Sequence, residues 1–367
     1  MNQDRMFKVG GALLLVVLLV IGYYASFVYE KPYVPFEDFD QAKIQSKSVV
    51  LLDRTTKDVI FSKEGDMRLA PASLTKILTV YTAIMKNVEL SQEVTIDTPS
   101  YQKMVEMNAS MAGFLGGEQL TMSDLLHGTI LSSGGEAASS LAIAVSGNEE
   151  DFVFEMNQVA KGIPMENSHF VNSVGMDDAN QKSTALDIAK LLDKALDNST
   201  FKDVFTKKLY WATKNQNHPD GLLLENTVLK EIPENGHPGI IVLGGKSGTT
   251  ETAGLCWATL VKVLDKEYVL VTMGAPKELE ASKPQWEDAL YILSQLIDPK
   301  EKETLKDKPL VEQNTDTEKP TEETTPADAE NKDGEESTSE NKESNNQEDA
   351  AQTEADSTKD TEQKSDD

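Results

Sequence analysis

Residues 239–276 read GIIVLGGKSGTTETAGLCWATLVKVLDKEYVLVTMGAP. Three apolar, β-branched runs are separated by a Gly/Thr-rich turn and a charged turn. That pattern predicts an antiparallel meander. Side chains alternate along a strand, so Lys246 and Gly248 point one way and Ser247 the other. A cation and hydroxyls on a strand lining a groove suit the anionic end of a substrate, and Gly248 leaves room for it. A charged hairpin edge is the plainer alternative.

Working outward, residues 48–71 (SVVLLDRTTKDVIFSKEGDMRLAP) hold two apolar runs flanking Arg54–Asp58, which predicts a β-hairpin. Between hairpin and meander lie helical patterns. The first has Leu74, Ile77, Leu78, Tyr81, Ile84 and Met85 at helical spacing. Others are TMSDLLHGTILSSGG, EAASSLAIAVSG after a glycine break, DFVFEMNQVAKGIP and STALDIAKLLDKALD, with Thr121/Asp124 and Ser183–Asp187 supplying caps. QWEDALYILSQLI closes as an amphipathic helix. The order of hairpin, helices, meander and helix predicts an α+β domain over residues 38–299, with N- and C-terminal segments sharing one sheet.

Residues 9–29 carry no Asp, Glu, Lys or Arg and are long enough to span a bilayer. Arg5 and Lys8 precede them, so residues 1–8 are expected in the cytoplasm and the remainder outside, on the cell membrane. The competing reading is secretion after signal-peptide cleavage, but Tyr23–Phe27 (YYASF) is a poor cleavage site. Of the net charge of −27, residues 301–367 carry −15, with no Phe, Tyr or Trp. Residues 300–367 are therefore expected to be a disordered acidic tail. The acidity argues against nucleic acid as a partner. The one cysteine, Cys256, excludes an intramolecular disulfide and reads as a buried strand residue.

The pattern S-x-x-K occurs at Ser73/Lys76, Ser100/Lys103, Ser199/Lys202 and Ser339/Lys342. Ser339 is in the tail, and Ser100 and Ser199 read as polar loops. Only Ser73 precedes a strongly apolar helix, where free backbone N–H groups and the helix dipole face its hydroxyl. Lys76 lies one turn on and, if neutral, can take the serine proton. The bland alternative is an N-cap serine and a solvated lysine. Ser132, Ser133, Gly134 and Gly135 form a second feature: a hydroxyl exposed between two helices, or an ordinary helix break.

The ordered set S-x-x-K, S-x-x, K-(S/T)-G is that of penicillin-binding proteins and serine β-lactamases. From about Lys47 to Leu296 the chain resembles the serine-type D-alanyl-D-alanine carboxypeptidases, the low-molecular-weight penicillin-binding proteins. The likeness is carried by APASLTKILTVYTAI, LTMSDLLHGTILSSGGEAASSLA, NSHFVNSVGMDDANQKSTALDIAKL and GGKSGTTETAGLCWATL. It implies a penicillin-binding/β-lactamase-like transpeptidase fold with a helical subdomain. Ser73 would be the acylated nucleophile, Lys76 its base and Ser133 the proton shuttle. Lys246 and Ser247 would bind the substrate carboxylate, with Gly248 beside them. The N–H groups of Ser73 and Thr249 would form the oxyanion hole.

The implied substrates are peptidoglycan stem peptides, with β-lactams as covalent inhibitors and no metal or cofactor. Three departures stand out. Gly135 replaces an Asn that contacts the substrate backbone in relatives; Ser247 replaces the commoner Thr; and the acidic tail follows where many relatives carry a β-rich domain and a membrane helix. A non-catalytic wall-binding protein is the alternative that Gly135 supports. A class A β-lactamase would need a Glu-x-x-Leu-Asn sequence, and none lies between Ser133 and Lys246.

Overall fold

The computed structural model describes residues 14–20, 33–37, 39–232 and 237–305. The hairpin is β1 (Ser48–Asp53) and β2 (Val59–Lys63). Two short ribbons follow, β3 (Glu93–Thr95) with β4 (Gln119–Thr121) and β5 (Leu209–Trp211) with β6 (Leu223–Glu225). The meander is β7 (Ile240–Thr250), β8 (Gly254–Val263) and β9 (Lys266–Ala275). The main sheet runs β2-β1-β9-β8-β7. β1 pairs antiparallel with β9, Ser48 opposite Met273 through Asp53 opposite Tyr268, so the two ends of the domain share one sheet as expected.

β1 lies inside the sheet between β2 and β9, and every residue of SVVLLD is buried. Val49 and Leu51 enter one apolar cluster, Val50 and Leu52 the other. A continuous apolar run is what a strand covered on both faces requires. The larger cluster joins the sheet to α1 (Thr75–Met85), α3 (Met122–Ile130), α5 (Glu149–Gly162) and α6 (Ala185–Ala195). α2 (Thr98–Glu106), α4 (Gly135–Ser146) and α7 (Ser199–Thr206) complete this helical side. The other cluster lies under α8 (Pro284–Leu293), with Trp257 against Trp286. β7, which carries Lys246–Gly248, is an edge strand.

The expected caps are present. The Thr121 hydroxyl accepts the Asp124 N–H while the Asp124 carboxylate accepts the Thr121 N–H, and Thr184 caps Asp187. Two expected loops are instead helices. Ser100 lies in α2, where Asp97 accepts its N–H and Pro99 sits in the first turn. Ser199 opens α7, capped by Asn198. Both helices are short and their polar content masks the apolar period.

The folded region also passes both expected limits. The Tyr33 hydroxyl donates to Gln295 O at 2.6 Å, Phe36 stacks on Phe61, and α9 (Pro299–Leu305) packs Leu305 on the smaller cluster. Of the expected anchor, residues 14–20 are helical and exposed, and the rest lies outside the described residues, as does the acidic tail beyond 305. Among the described residues, no helix is long and apolar enough to cross a membrane.

The N-terminal segment is fastened to α8 by Asp288. Its buried carboxylate accepts the Gln45 N–H at 2.9 Å, the Ser46 N–H at 2.7 Å and the Ser46 hydroxyl at 2.6 Å. Removing it leaves buried donors unpaired. Asp288→Ala should therefore lower stability by about 2–4 kcal/mol in urea unfolding, and Asp288→Asn, which keeps an acceptor oxygen, by less.

Candidate active site

Burial, not helix position, separates the S-x-x-K sites. Ser73 lies in a 3-10 turn, Ala72–Leu74, that leads into α1. Lys76 is one turn on and 3 % exposed; its Nζ donates to Ser73 Oγ at 3.1 Å and to Val174 O at 2.7 Å. Lys103 is exposed, and Lys202 pairs with Glu267 at 3.2 Å. Ser339 is outside the described residues. An ammonium held in a dry site against neutral acceptors loses its proton readily. Burial accordingly brings the Lys76 pKa down to about 7, with the charge of Glu136 acting in the opposite direction.

Ser133 sits between α3 and α4 with φ +60°, and Ala72 has φ +48°. Two non-glycine residues in the left-handed region therefore border one groove, a strain of the kind that concentrates at functional sites. Lys246, wholly buried on β7, donates to Ser133 Oγ at 2.8 Å and to Ser247 O at 2.7 Å. Burial and then the charge of Lys76 push its pKa well below the usual lysine range. Three distant segments thus bring Ser73, Lys76, Ser133 and Lys246 together.

Strand alternation holds as expected. Lys246 reaches Ser133, and Gly248 faces the start of α1, while Ser247 Oγ lies 3.0 Å from Thr227 Oγ1. A Cβ on Gly248 would sit 2.9 Å from Ser73 N and 3.2 Å from Leu74 N, so only glycine lets the β7 edge lie against this backbone. Thr249 is exposed beside it. Gly135, the first residue of α4, donates its N–H to Ser110 O at 2.7 Å. A Cβ there would lie 2.9 Å from Met104 Sδ, so the buried thioether of α2 occupies the space a side chain would need.

Other groups were not apparent from sequence. The Val174 carbonyl that holds Lys76 comes from the segment NSVGMDD, where a backbone acceptor leaves no trace in residue type. Glu136 reads as an ordinary acidic residue in a helix first turn, yet it is wholly buried. Its Oε1 accepts the N–H groups of Ala112, Gly113 and Phe114 at 2.7, 3.0 and 3.2 Å, and burial raises its pKa. Cys256 is buried in β8, its thiol pushed up to about 12, so it stays an inert strand residue. His169 is exposed, and its backbone pairs with Lys182. Among the described residues, no group of three or more His, Cys, Asp or Glu could hold a metal ion.

The chain belongs to the D-alanyl-D-alanine carboxypeptidase family, whose model matches residues 36–277, well over half of its length. It is similar to the D-alanyl-D-alanine carboxypeptidase DacF of Bacillus subtilis, with 32 % identity over 253 residues covering 65 % of this chain and 60 % of that protein. Similarity to DacD of Escherichia coli is 27 % over 262 residues, 68 % of this chain and 63 % of DacD. The chain thus spans less than two thirds of these relatives. A cysteine-to-alanine variant of the Streptomyces K15 DD-transpeptidase superposes with a TM-score of 0.62 at 25 % identity, covering 69 % of this chain and 97 % of that one. A penicillin-binding protein homolog from Mycobacterium tuberculosis shares the fold at TM-score 0.60 and 21 % identity, over 74 % of this chain and 97 % of its own.

A pKa near 7 for Lys76 means that its neutral form fills as pH rises through that value. Acylation of Ser73 by a fluorescent penicillin should therefore climb about tenfold per pH unit in the acid range and level off above about pH 7. The Glu136 charge raises the Lys76 pKa, so Glu136→Gln should move this limb to lower pH. Acylation rate constants measured from pH 5 to 9 check both, and an upward-moving limb would contradict the role of Glu136.

Proposed function

We propose that this protein is a cell-wall serine DD-carboxypeptidase acting outside the membrane, removing the terminal D-Ala of peptidoglycan stem pentapeptides through an acyl-enzyme at Ser73. The observation that carries the proposal is the Lys76 Nζ–Ser73 Oγ hydrogen bond of 3.1 Å, made by a buried lysine that also donates to the Val174 carbonyl. A buried amine of pKa about 7 is a competent base at neutral pH.

In this reading, Ser73 Oγ attacks the carbonyl of the D-Ala–D-Ala bond and gives its proton to Lys76. The oxyanion is held by the N–H groups of Ser73 and Thr249, a reading supported by the close approach of the neighbouring Gly248 to the Ser73 backbone. Ser133 passes a proton to the leaving amine and is reprotonated through the lysines, one of which already donates to its hydroxyl. Collapse releases D-Ala, and water then attacks the ester, restoring Ser73 and freeing the shortened peptide.

Lys246 and Ser247 receive the substrate carboxylate. An arriving anion supplies a countercharge to Lys246, so the cation settles there and repels a proton from Lys76. The open edge of β7 offers backbone groups for an extended peptide to pair with. At Gly135 the substrate meets no side-chain amide. A β-lactam, with a carbonyl and a carboxylate at similar spacing, would acylate the same serine and block it. The hydrophobic residues 9–29 support a single-pass anchor with this domain on the outer side.

The test is labelling and product release with the full chain. Wild type should bind fluorescent penicillin covalently and release D-Ala from a stem pentapeptide. Ser73→Ala should do neither, and Lys246→Ala should lose roughly a hundredfold in kcat/KM. An unlabelled wild type would sink the proposal, and rapid penicillin turnover would mark a β-lactamase instead.

A further inference from the structure

The hydroxyl of Ser247 is not free in the groove. It lies 3.0 Å from Thr227 Oγ1, a residue outside every motif singled out in the sequence. Thr227 is delivered there by construction. Asn226, buried beside it, donates from Nδ2 to Gly245 O at 3.3 Å, and its Oδ1 accepts the N–H groups of Val228 and Leu229 at 3.0 and 3.1 Å. Val228 packs where Gly245 has no side chain; a Cβ on Gly245 would lie 2.6 Å from Val228 Cγ1. The turn therefore sits against β7 at the position before Lys246. The Thr227 N–H donates to Leu131 O at 3.0 Å, just ahead of Ser132–Ser133. One residue thus ties the strand carrying Lys246 and Ser247 to the segment carrying Ser133.

A serine hydroxyl has one proton to give, and a carboxylate only accepts. If Ser247 gave its proton to Thr227, nothing would remain for the substrate. The reverse order, Thr227 to Ser247 to carboxylate, satisfies every group, and each hydrogen bond polarises the next. We propose that Thr227 is a positioning residue of the carboxylate subsite: its hydroxyl donates to Ser247 Oγ and keeps the Ser247 proton directed into the groove. This rests on the reading that Ser247 meets the substrate carboxylate.

The full chain, with Thr227→Val, Thr227→Ser and Ser247→Ala, is acylated by a fluorescent penicillin and separately by its methyl ester, which lacks the carboxylate. Rates are taken relative to wild type for each probe. Thr227→Val should slow the acid about tenfold and leave the ester within about twofold, the loss expected for one charge-assisted hydrogen bond weakened. Thr227→Ser should restore the acid rate. An equal loss on both probes would reduce Thr227 to a packing residue, and no loss on either would remove it from the subsite. Ser247→Ala separates the two layers. If it distinguishes acid from ester while Thr227→Val does not, the Thr227 proposal falls alone. If Ser247→Ala also treats the probes alike, the carboxylate reading falls with it.

Discussion

Two lysine amines buried in one groove set the terms for everything around them. Lys76 and Lys246 are 3 % and 0 % exposed, and among the described residues neither makes a hydrogen bond to a carboxylate. Their partners are two serine hydroxyls and two backbone carbonyls. Bringing two ammonium ions into such a site is prohibitively costly, so the pair is driven toward neutrality. Burial lowers the pKa of both amines, and the charge of Glu136 pulls that of Lys76 part of the way back up.

That arrangement needs backbone brought unusually close to backbone. The β7 edge can lie on the Ala72–Leu74 turn because position 248 has no side chain, and the Asn226–Leu229 turn can lie on β7 because position 245 has none. These contacts hold only if β7 is itself fixed, and it is fixed through β8 to β9 at the centre of the sheet and on to β1. The rigid frame of two apolar clusters, one on each face, is what allows Ala72 and Ser133 to persist at positive φ.

Much of this was legible in the residues. The unbroken apolar run of β1, the meander and the caps at Thr121 and Thr184 announced themselves because strand length, helical period and capping chemistry are local properties. The grouping of Ser73, Lys76, Ser133 and Lys246 was legible through the family resemblance that the three ordered motifs carry. The helices at Ser100 and Ser199 were not legible, because they are short and polar. The Met104 thioether against Gly135 and the carboxylate of Glu136 within a loop of N–H groups were not either, since both depend on which segments fold back on one another.

By itself the sequence determined the element order and the sheet shared by both chain ends, since each follows from pattern, and it offered Ser73 as the candidate nucleophile through the resemblance of its motifs to a family. Only the tertiary structure set the surroundings of each S-x-x-K lysine. Lys76, Lys103 and Lys202 have the same spacing from a serine and each sits in a helix. One is enclosed against Val174, one faces water and one meets Glu267. A lysine's proton affinity is a property of its surroundings, and those come from residues as far away in the chain as the fold chooses to bring them.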